Sequence, residues 1–235
     1  MESAPPPPPL LLRLLGKKQR QGIPTMSWSA RHPFETRPRM NTMVALMIGL
    51  VLFGLGDAII VSAVWGVTPW TVLAMGLAEQ MHITIGQATF IVSVIVLALW
   101  YPLKEKPGIG TILNIIIIAA MIDIALPYLP TPTSTTASFL TVIVGTALIA
   151  IGSGFYLTAN LGPGPRDGWM TGLHRRTGYP IGIVRTVIEC TALATGWALG
   201  GNVGFGTLVF AITIGPMVSI MLGMLAALNK EVDDD

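Results

Sequence analysis

Five polar residues interrupt the long apolar runs of this 235-residue chain, and they are the residues most able to do chemistry there: Asp57, Asn114, Asp123, Arg185 and Glu189. A charged side chain at the centre of a bilayer costs at least about 2.5–3.5 kcal/mol, so such residues normally face a protein interior, where they pair or bind a ligand. The chemistry that they indicate is the binding of a proton, an ion or a polar solute within a membrane.

The two aspartates in this set are the strongest candidates for a proton or cation site. Asp57 lies among glycines inside its apolar run, and Asp123 lies toward the end of another. The alternative is that each is an uncharged, hydrogen-bonded contact between helices. Arg185 and Glu189 are four residues apart. This spacing places them on one face of a helix, where they could neutralise each other instead of binding a solute.

A second set of candidates lies in the stretch "NLGPGPRDGWMTGL" at 160–173, which repeats the design of "VWGVTPWTVLAMGL" at 64–77. In each stretch a glycine-bearing turn leads to a proline, and residues of helical character follow. The proline can take the first helical position, where its missing N–H costs nothing. The residues concerned are Gly66, Pro69, Trp70, Gly162, Gly164, Pro165, Arg166 and Asp167.

Each stretch predicts a helix of roughly eleven residues, which reaches about 16 Å, or half of a bilayer. Such a helix either re-enters the membrane or lies along its surface. Short segments interrupted by glycine and proline, at matched positions of two inverted halves, indicate the binding site of a transporter. The alternatives are that Asp167 only caps a helix start and that Arg166 only marks the cytoplasmic side.

Composition excludes an ordinary soluble domain. The chain is 52% hydrophobic and 11% charged, with a mean hydropathy of +0.68, whereas soluble domains are about a quarter charged. The three histidines are scattered, the single cysteine has no second cysteine to pair with, and the sequence contains no metal, nucleophile or phosphate-binding motif. We therefore expect no enzyme activity, metal, cofactor or nucleic-acid partner.

Six apolar windows are long enough to cross a bilayer as helices. They cover residues 42–64, 84–103, 109–129, 138–160, 181–200 and 205–228. When the connecting segments are numbered alternately, all of their lysines and arginines fall on one side. By the positive-inside rule, this distribution predicts that both termini are cytoplasmic.

The chain also matches itself at an offset of 96 residues, at which 21 of 78 aligned positions are identical. Many of the identities are glycines and prolines, which determine backbone shape. The pattern predicts a duplication, with one three-span unit over 42–130 and a second over 138–228. Because each unit has an odd number of spans, the second enters the membrane from the opposite side, as in many secondary transporters. Eight full spans in a parallel repeat would instead place Arg166 and Arg175 on opposite sides, against the charge rule.

The two ends differ in composition from the rest. Residues 1–41 contain five consecutive prolines and seven lysines or arginines, which predicts a disordered cytoplasmic tail. Two alternatives are that its short basic segment rests on an anionic membrane surface and that translation begins at Met26 or Met40. Residues 229–235 predict a short acidic cytoplasmic tail.

Three segments resemble the YczE group of bacterial integral membrane proteins, which is related to the YitT group: "GLGDAIIVSAVWGVTPWTVLAMGLAEQMHITIG", "KPGIGTILNIIIIAAMID" and "GLHRRTGYPIGIVRT". The resemblance extends over roughly residues 43–228. It implies a polytopic protein of the bacterial cytoplasmic membrane, in a group without a settled activity. In that pattern the first short helix often carries an acid after the Pro-Trp pair. This chain has Thr71 there, so the resemblance does not imply a two-acid site.

We therefore predict an all-α polytopic membrane protein with six transmembrane helices in two inverted repeats, each with a short re-entrant or interfacial helix. The predicted function is a transporter or channel-like carrier for an unspecified small solute or ion, and the sequence leaves a homo-oligomer open. The alternative is a non-transporting accessory or scaffold protein that supports export or biosynthesis of another product, with scattered polar groups and no internal cavity. The predicted path is lined by Asp57, Asp123, Asp167, Arg166, Pro69, Pro165, Gly66, Gly162, Gly164, Trp70, Arg185, Glu189 and Asn114.

Overall fold

The computed structural model describes residues 23–233, and all regular structure in this range is helical. Short 3-10 turns follow the third and fourth helices, at Tyr101–Leu103 and Leu126–Tyr128. The α-helices in this range are α1 (Met40–Ser62), α2 (Pro69–Met81), α3 (Ile85–Ala98), α4 (Ile109–Ala125), α5 (Thr135–Ala159), α6 (Pro165–Thr177), α7 (Ile181–Ala198) and α8 (Phe205–Asp233).

Six of these helices, all except α2 and α6, are long and apolar enough to cross a membrane. This result confirms the prediction of an all-helical membrane protein with six spans. The bounds differ slightly from the predicted windows. The span that contains α3, for example, continues as a 3-10 turn, because Pro102 has no N–H for a further α-helical hydrogen bond.

The two short helices, α2 and α6, have 13 residues each. Each begins with a proline, and Thr68 caps α2 by accepting a hydrogen bond from the Thr71 N–H at 3.3 Å. The residues that follow the two helices, His82 and Gly178, adopt the left-handed backbone conformation that commonly terminates helices. A helix of this length extends about 20 Å, less than the ~30 Å hydrocarbon core of a bilayer.

Helices α1 and α5 form the central pair, and they pack as closely as glycine allows. A Cβ atom on Gly56 would lie 2.6 Å from the Gly145 oxygen, and one on Gly49 would lie 2.8 Å from the Gly152 oxygen. The order of these contacts shows that the two helices run antiparallel. Small residues at such contacts let helix backbones approach each other in membranes. α4 packs against α1, and α8 packs against α5.

The short helices pack against helices that are distant in the sequence. α2 packs against α7, where Gly76 and Gly196 are in contact, and α6 packs against α3. Gly168 of α6 leaves room for the ring of Trp100, whose indole N–H donates to the Pro165 oxygen at 2.8 Å. These contacts fix where each short helix begins.

Matching features recur 96 residues apart. α2 and α6 begin at positions with this separation, as do α3 and α7. The same backbone hydrogen bond is also made twice: the Gly206 N–H donates to the Trp65 oxygen at 2.8 Å, and the Gly110 N–H donates to the Leu161 oxygen at 2.7 Å. Each of these bonds ties the turn before a short helix to the start of a long one.

Part of the N-terminal segment packs against the end of α5. The Ala30 N–H donates to the Ala159 oxygen at 3.0 Å. The Trp28 ring stacks on Phe155, with the ring centroids 6.1 Å apart. Ala30 is buried in this contact.

The predicted terminal tails are only partly within the described range. The sequence predicts disorder over 1–41, but residues 26–30 differ, because their apolar side chains find a surface on α5. Residues 1–22 lie outside the described residues. Of the acidic tail predicted over 229–235, α8 takes in all but the last two residues, which also lie outside that range.

Candidate binding cavity

A cavity of about 390 Å³ is lined by the N-terminal ends of both short helices. Pro69 and Trp70 of α2 contribute to one part of its wall, and Pro165 and Arg166 of α6 contribute to another. Spanning helices α1, α4, α5, α7 and α8 form the rest. The volume falls in the lower part of the range of about 300–1,000 Å³ that is usual for small-molecule sites.

The cavity wall is partly polar and partly apolar. Its polar side chains are Arg166, Asp167, Arg185, Glu189, Asn114, Tyr156, Thr68, Ser153 and Ser219. Its large apolar side chains are Phe53, Ile149, Leu157, Met170, Ile188, Phe210, Ile214 and Val218. Within residues 23–233, no group of three or more His, Cys, Asp or Glu side chains is placed to hold a metal ion.

Arg166 lies in the first turn of α6 and is held between two aromatic rings. Its guanidinium carbon is 5.6 Å from the centroid of the Phe53 ring and 5.5 Å from that of Trp70. Among the residues that the structure describes, no carboxylate oxygen lies within 4.0 Å of this guanidinium. Cation–π contacts contribute about 0.5–2 kcal/mol, so the two rings orient the charge without neutralising it.

Asp167 is tied to α5 through a tyrosine. The Tyr156 hydroxyl donates to Asp167 Oδ2 at 2.8 Å and accepts from the Gly164 N–H at 2.6 Å. The carboxylate also lies in the first turn of α6, where the helix dipole favours a negative charge. Tyr156 therefore fixes the start of α6 against the last turn of α5.

A second cavity of about 20 Å³ adjoins the first and contains Asp57. The two share Trp70, Asn114, Pro165 and Arg166 as lining residues. A cavity needs about 10–15 Å³ to hold one water molecule, so the small cavity has room for one.

Asp57 is only 4% exposed, and its carboxylate contacts one hydroxyl group, which in turn is bonded to a second. The Thr71 hydroxyl donates to Asp57 Oδ1 at 2.8 Å and lies 3.0 Å from Oδ2. The Thr68 and Thr71 hydroxyl oxygens are 2.7 Å apart, and Thr68 lines the larger cavity. The two threonines therefore link the buried carboxylate to the larger cavity.

Most of the predicted site residues come together here. Nine of them line the larger cavity, namely Pro69, Trp70, Asn114, Gly164, Pro165, Arg166, Asp167, Arg185 and Glu189. Asp57 lines the smaller one. Their roles stay predictions, but their proximity follows from the packing of α2 and α6.

Asp123 is not among the residues lining either cavity. Its Oδ2 accepts from the Thr84 hydroxyl at 2.5 Å, and its Oδ1 accepts from the Gly86 N–H at 2.8 Å. It therefore caps the start of α3 from the neighbouring helix α4. An acidic residue inside an apolar run predicts a path residue, but at this position the acidic residue makes a helix-capping contact.

The two turn glycines also lie outside the cavity lining. Gly66 has a φ of +105° and Gly162 a φ of +106°, which side-chain-bearing residues rarely adopt. Each packs against another glycine, Gly204 and Gly108 respectively. They shape the turns that carry the chain to α2 and α6.

Arg185 and Glu189 both line the cavity, as expected for residues one turn apart on α7. Arg185 is exposed and Glu189 is half-buried. Within the described part of the chain, the two side chains do not form an ion pair within 4.0 Å. Their predicted mutual neutralisation is therefore not a direct contact.

Among the lining residues that were not predicted from the sequence, Phe53 and Tyr156 make the contacts that hold Arg166 and Asp167. Both are aromatic residues inside long apolar runs. An aromatic residue there has the same sequence signal whether it faces lipid, another helix or a cavity.

Comparison with known proteins places the chain in a family. Residues 40–223 match the model of a family of unknown function, DUF6198. The chain belongs to this family. No solved structure matches it.

Two relatives match most of the length of this chain. An uncharacterized protein of Haemophilus influenzae is 39% identical over 212 residues, which are 90% of this chain and 96% of that protein. The uncharacterized membrane protein YczE of Bacillus subtilis is 31% identical over 176 residues, which are 74% of this chain and 82% of that protein. The predicted membership of the YczE group is confirmed, and the chain is a membrane protein.

Proposed function

We propose that this protein is a carrier that moves a small polar solute or ion across the membrane through the larger cavity. The observation that supports this function best is that the starts of both short helices, with Arg166 and Asp167, line one partly polar cavity among spanning helices. In hydrocarbon, irregular backbone and charged side chains are tolerated only where they are buried in protein or line a polar cavity. A scaffold protein has no need for such a cavity.

The proposed architecture is a pair of inverted repeats, over 42–130 and 138–228, each with a short re-entrant helix. The matching helix starts and turn contacts 96 residues apart support it. Each short helix also begins beside the last turns of the preceding long helix. Thr71, for example, is bonded to Asp57, five residues before α1 ends, which is about 8 Å back along the helix.

The proposed orientation places both termini in the cytoplasm of a bacterial cell. In an eight-span parallel arrangement, the loop after α3 and the end of α6 would lie on opposite sides of the membrane. Arg175 pairs with Glu105 at 2.5 Å, and the Arg176 guanidinium donates to the Pro102 oxygen at 2.5 Å. These contacts bring the two segments together, which favours six spans and one positively charged side.

A reconstitution experiment tests the carrier function even though the solute is unidentified. Proteoliposomes would be incubated with an extract of bacterial small molecules, and the retained solutes would be measured by mass spectrometry. Ser219→Trp places a large ring in the cavity wall, whereas Ile220→Trp places it on the neighbouring residue, which is 62% exposed and outside the lining.

We expect one class of solute to be retained by the parent protein and by Ile220→Trp, and to be lost in Ser219→Trp. Equal retention in all vesicles, including protein-free ones, would contradict the proposal. Equal retention in the parent and Ser219→Trp, above that of protein-free vesicles, would also contradict it, because the solute would then bypass the cavity.

A further inference from the structure

Arg166 is a cation of the cavity wall that has no direct carboxylate partner among the described residues. It lies in the first turn of α6, at the positive end of the helix dipole. A guanidinium has five N–H donors and no acceptor. Among the described residues, neither a carboxylate within 4.0 Å nor a hydrogen-bond acceptor satisfies it. The guanidinium at the cavity wall therefore has N–H donors that no protein group in the described structure uses.

Other donors surround the same space. Each helix start offers few backbone donors, because Pro69 and Pro165 have no N–H and the Thr71 N–H donates to Thr68. The N–H groups of Trp70, Arg166 and Asp167 have no partner within their helices, and these residues line the cavity. Trp70 is 7% exposed, and its indole N–H has no hydrogen-bond partner in the described structure. Trp70 is also the ring on which the Arg166 guanidinium rests, and it lines both cavities.

Two of the nearby carboxylates form hydrogen bonds with hydroxyl groups and not with Arg166. Asp167 accepts from the Tyr156 hydroxyl, and Asp57 accepts from the Thr71 hydroxyl. Glu189 lies one turn from Arg185 on α7, but within the described residues the two side chains form no ion pair within 4.0 Å, and Arg185 is exposed. Arg166 is partly buried between two aromatic rings, so it is the more enclosed of the two arginines in the cavity wall.

We infer that the larger cavity binds a small organic anion, whose acidic group contacts Arg166 and the starts of α2 and α6. Its apolar part would lie against the aliphatic and aromatic wall that includes Phe53, Ile188 and Phe210. A bidentate contact with a carboxylate or a similar oxyanion suits the planar guanidinium. This inference rests on the proposed function, since it names the solute class of the same cavity.

The test uses probes that share a shape and differ in charge. The purified full-length protein in detergent would be heated with benzoate, benzamide or benzylamine, and with butyrate, butyramide or butylamine. We expect the carboxylates at about 10 mM to raise the unfolding temperature by about 2 °C or more, and the amides and amines to have no such effect.

Variants of one helix assign the effect to Arg166. We expect Arg166→Gln to lose the shift and Arg166→Lys to bind the carboxylate roughly tenfold more weakly, because an ammonium cannot make the bidentate contact. Arg176→Gln is the matched control, since this guanidinium contacts Pro102 outside the cavity, and it should keep the full shift. If Arg166→Gln does not fold, the parent protein is compared with Arg166→Lys instead.

Three results would overturn the inference: equal stabilisation by an amide or amine, a carboxylate shift that survives Arg166→Gln and Arg166→Lys unchanged, or no shift with any probe. The carrier function and the anion inference can be refuted independently. If vesicles retain a neutral or cationic solute that Ser219→Trp blocks, the carrier function stands and the anion inference falls. If carboxylates bind at Arg166 but Ser219→Trp changes no retention, the anion site stands and the carrier function falls.

Discussion

At the scale of single residues, the structure separates acids that have the same sequence signal. Asp57 and Asp123 are each one acidic residue in an apolar helix. Asp57 is buried beside the cavity and is held by Thr71, whereas Asp123 caps a neighbouring helix. In both cases the deciding partner belongs to another helix. The sequence could therefore predict that each acid has a partner, but not whether the acid lies beside a cavity or caps a helix.

The hydrogen bond between Thr71 and Asp57 gives a prediction at this scale. Thr71→Val keeps the shape of the side chain but leaves the buried carboxylate without its hydroxyl donor. We expect the free energy of unfolding to fall by about 1–3 kcal/mol, the usual cost of an unsatisfied buried polar group. Thr71→Ser retains the hydroxyl and is the control.

Denaturant-induced unfolding in mild detergent, followed by circular dichroism, measures this difference. A Thr71→Val variant as stable as Thr71→Ser would show that the hydroxyl does not support the Asp57 carboxylate.

At the scale of elements, the prediction of the short helices depended mostly on proline and glycine. They indicated both short helices, and the structure has them as α2 and α6 with a proline at each start. The packing of residues 26–30 on α5 was not predicted, because it depends on a surface formed by residues far away in sequence. The contacts of Phe53 and Tyr156 were not predicted for the same reason. Local backbone preference is visible in a sequence, whereas a contact between distant elements is not.

The turn before α6 gives a prediction at this scale. Gly162 has a φ of +106°, and a Cβ atom there would lie 2.9 Å from the Gly108 Cα. Gly162→Ala therefore combines backbone strain with a clash against another backbone. Gly178 also has a positive φ, +73°, but a Cβ atom there would meet nothing within 4 Å. Gly178→Ala is the matched control.

We expect Gly178→Ala to cost about 1 kcal/mol of unfolding free energy and Gly162→Ala to cost at least twice as much. Unfolding temperatures of the two purified variants in the same detergent give the comparison. Equal costs would mean that the turn has room for a side chain and does not fix the start of α6.

At the scale of the whole molecule, the spans followed from hydropathy alone, but the cavity did not. Apolar runs of sufficient length predict spanning helices, and the six spans of the structure agree with them. The cavity forms because α2 packs against α7 and α6 packs against α3, which brings two helix starts to one place. These pairings are made by glycine contacts between distant segments. The sequence could therefore indicate many of the cavity residues but not the helix packing that brings them together.

The central claim is that a water-accessible polar cavity lies inside the membrane-spanning bundle, and Asn114 tests it most directly. Asn114 belongs to α4, a spanning helix, and lines both cavities. Ile116 is two residues further along the same helix, is 49% exposed and lies outside both linings. Each would be replaced by cysteine in a Cys190→Ser background, which removes the native thiol.

The measurement is the rate at which a charged, membrane-impermeant thiosulfonate modifies each cysteine in right-side-out and inside-out vesicles. We expect Asn114→Cys to react from at least one side and Ile116→Cys to stay unreactive from both, because a thiol in hydrocarbon neither ionises nor meets the reagent. Addition of Ser219→Trp should slow the reaction of Asn114→Cys. An Asn114→Cys variant as unreactive as Ile116→Cys would contradict the account, since no aqueous path would then reach the cavity.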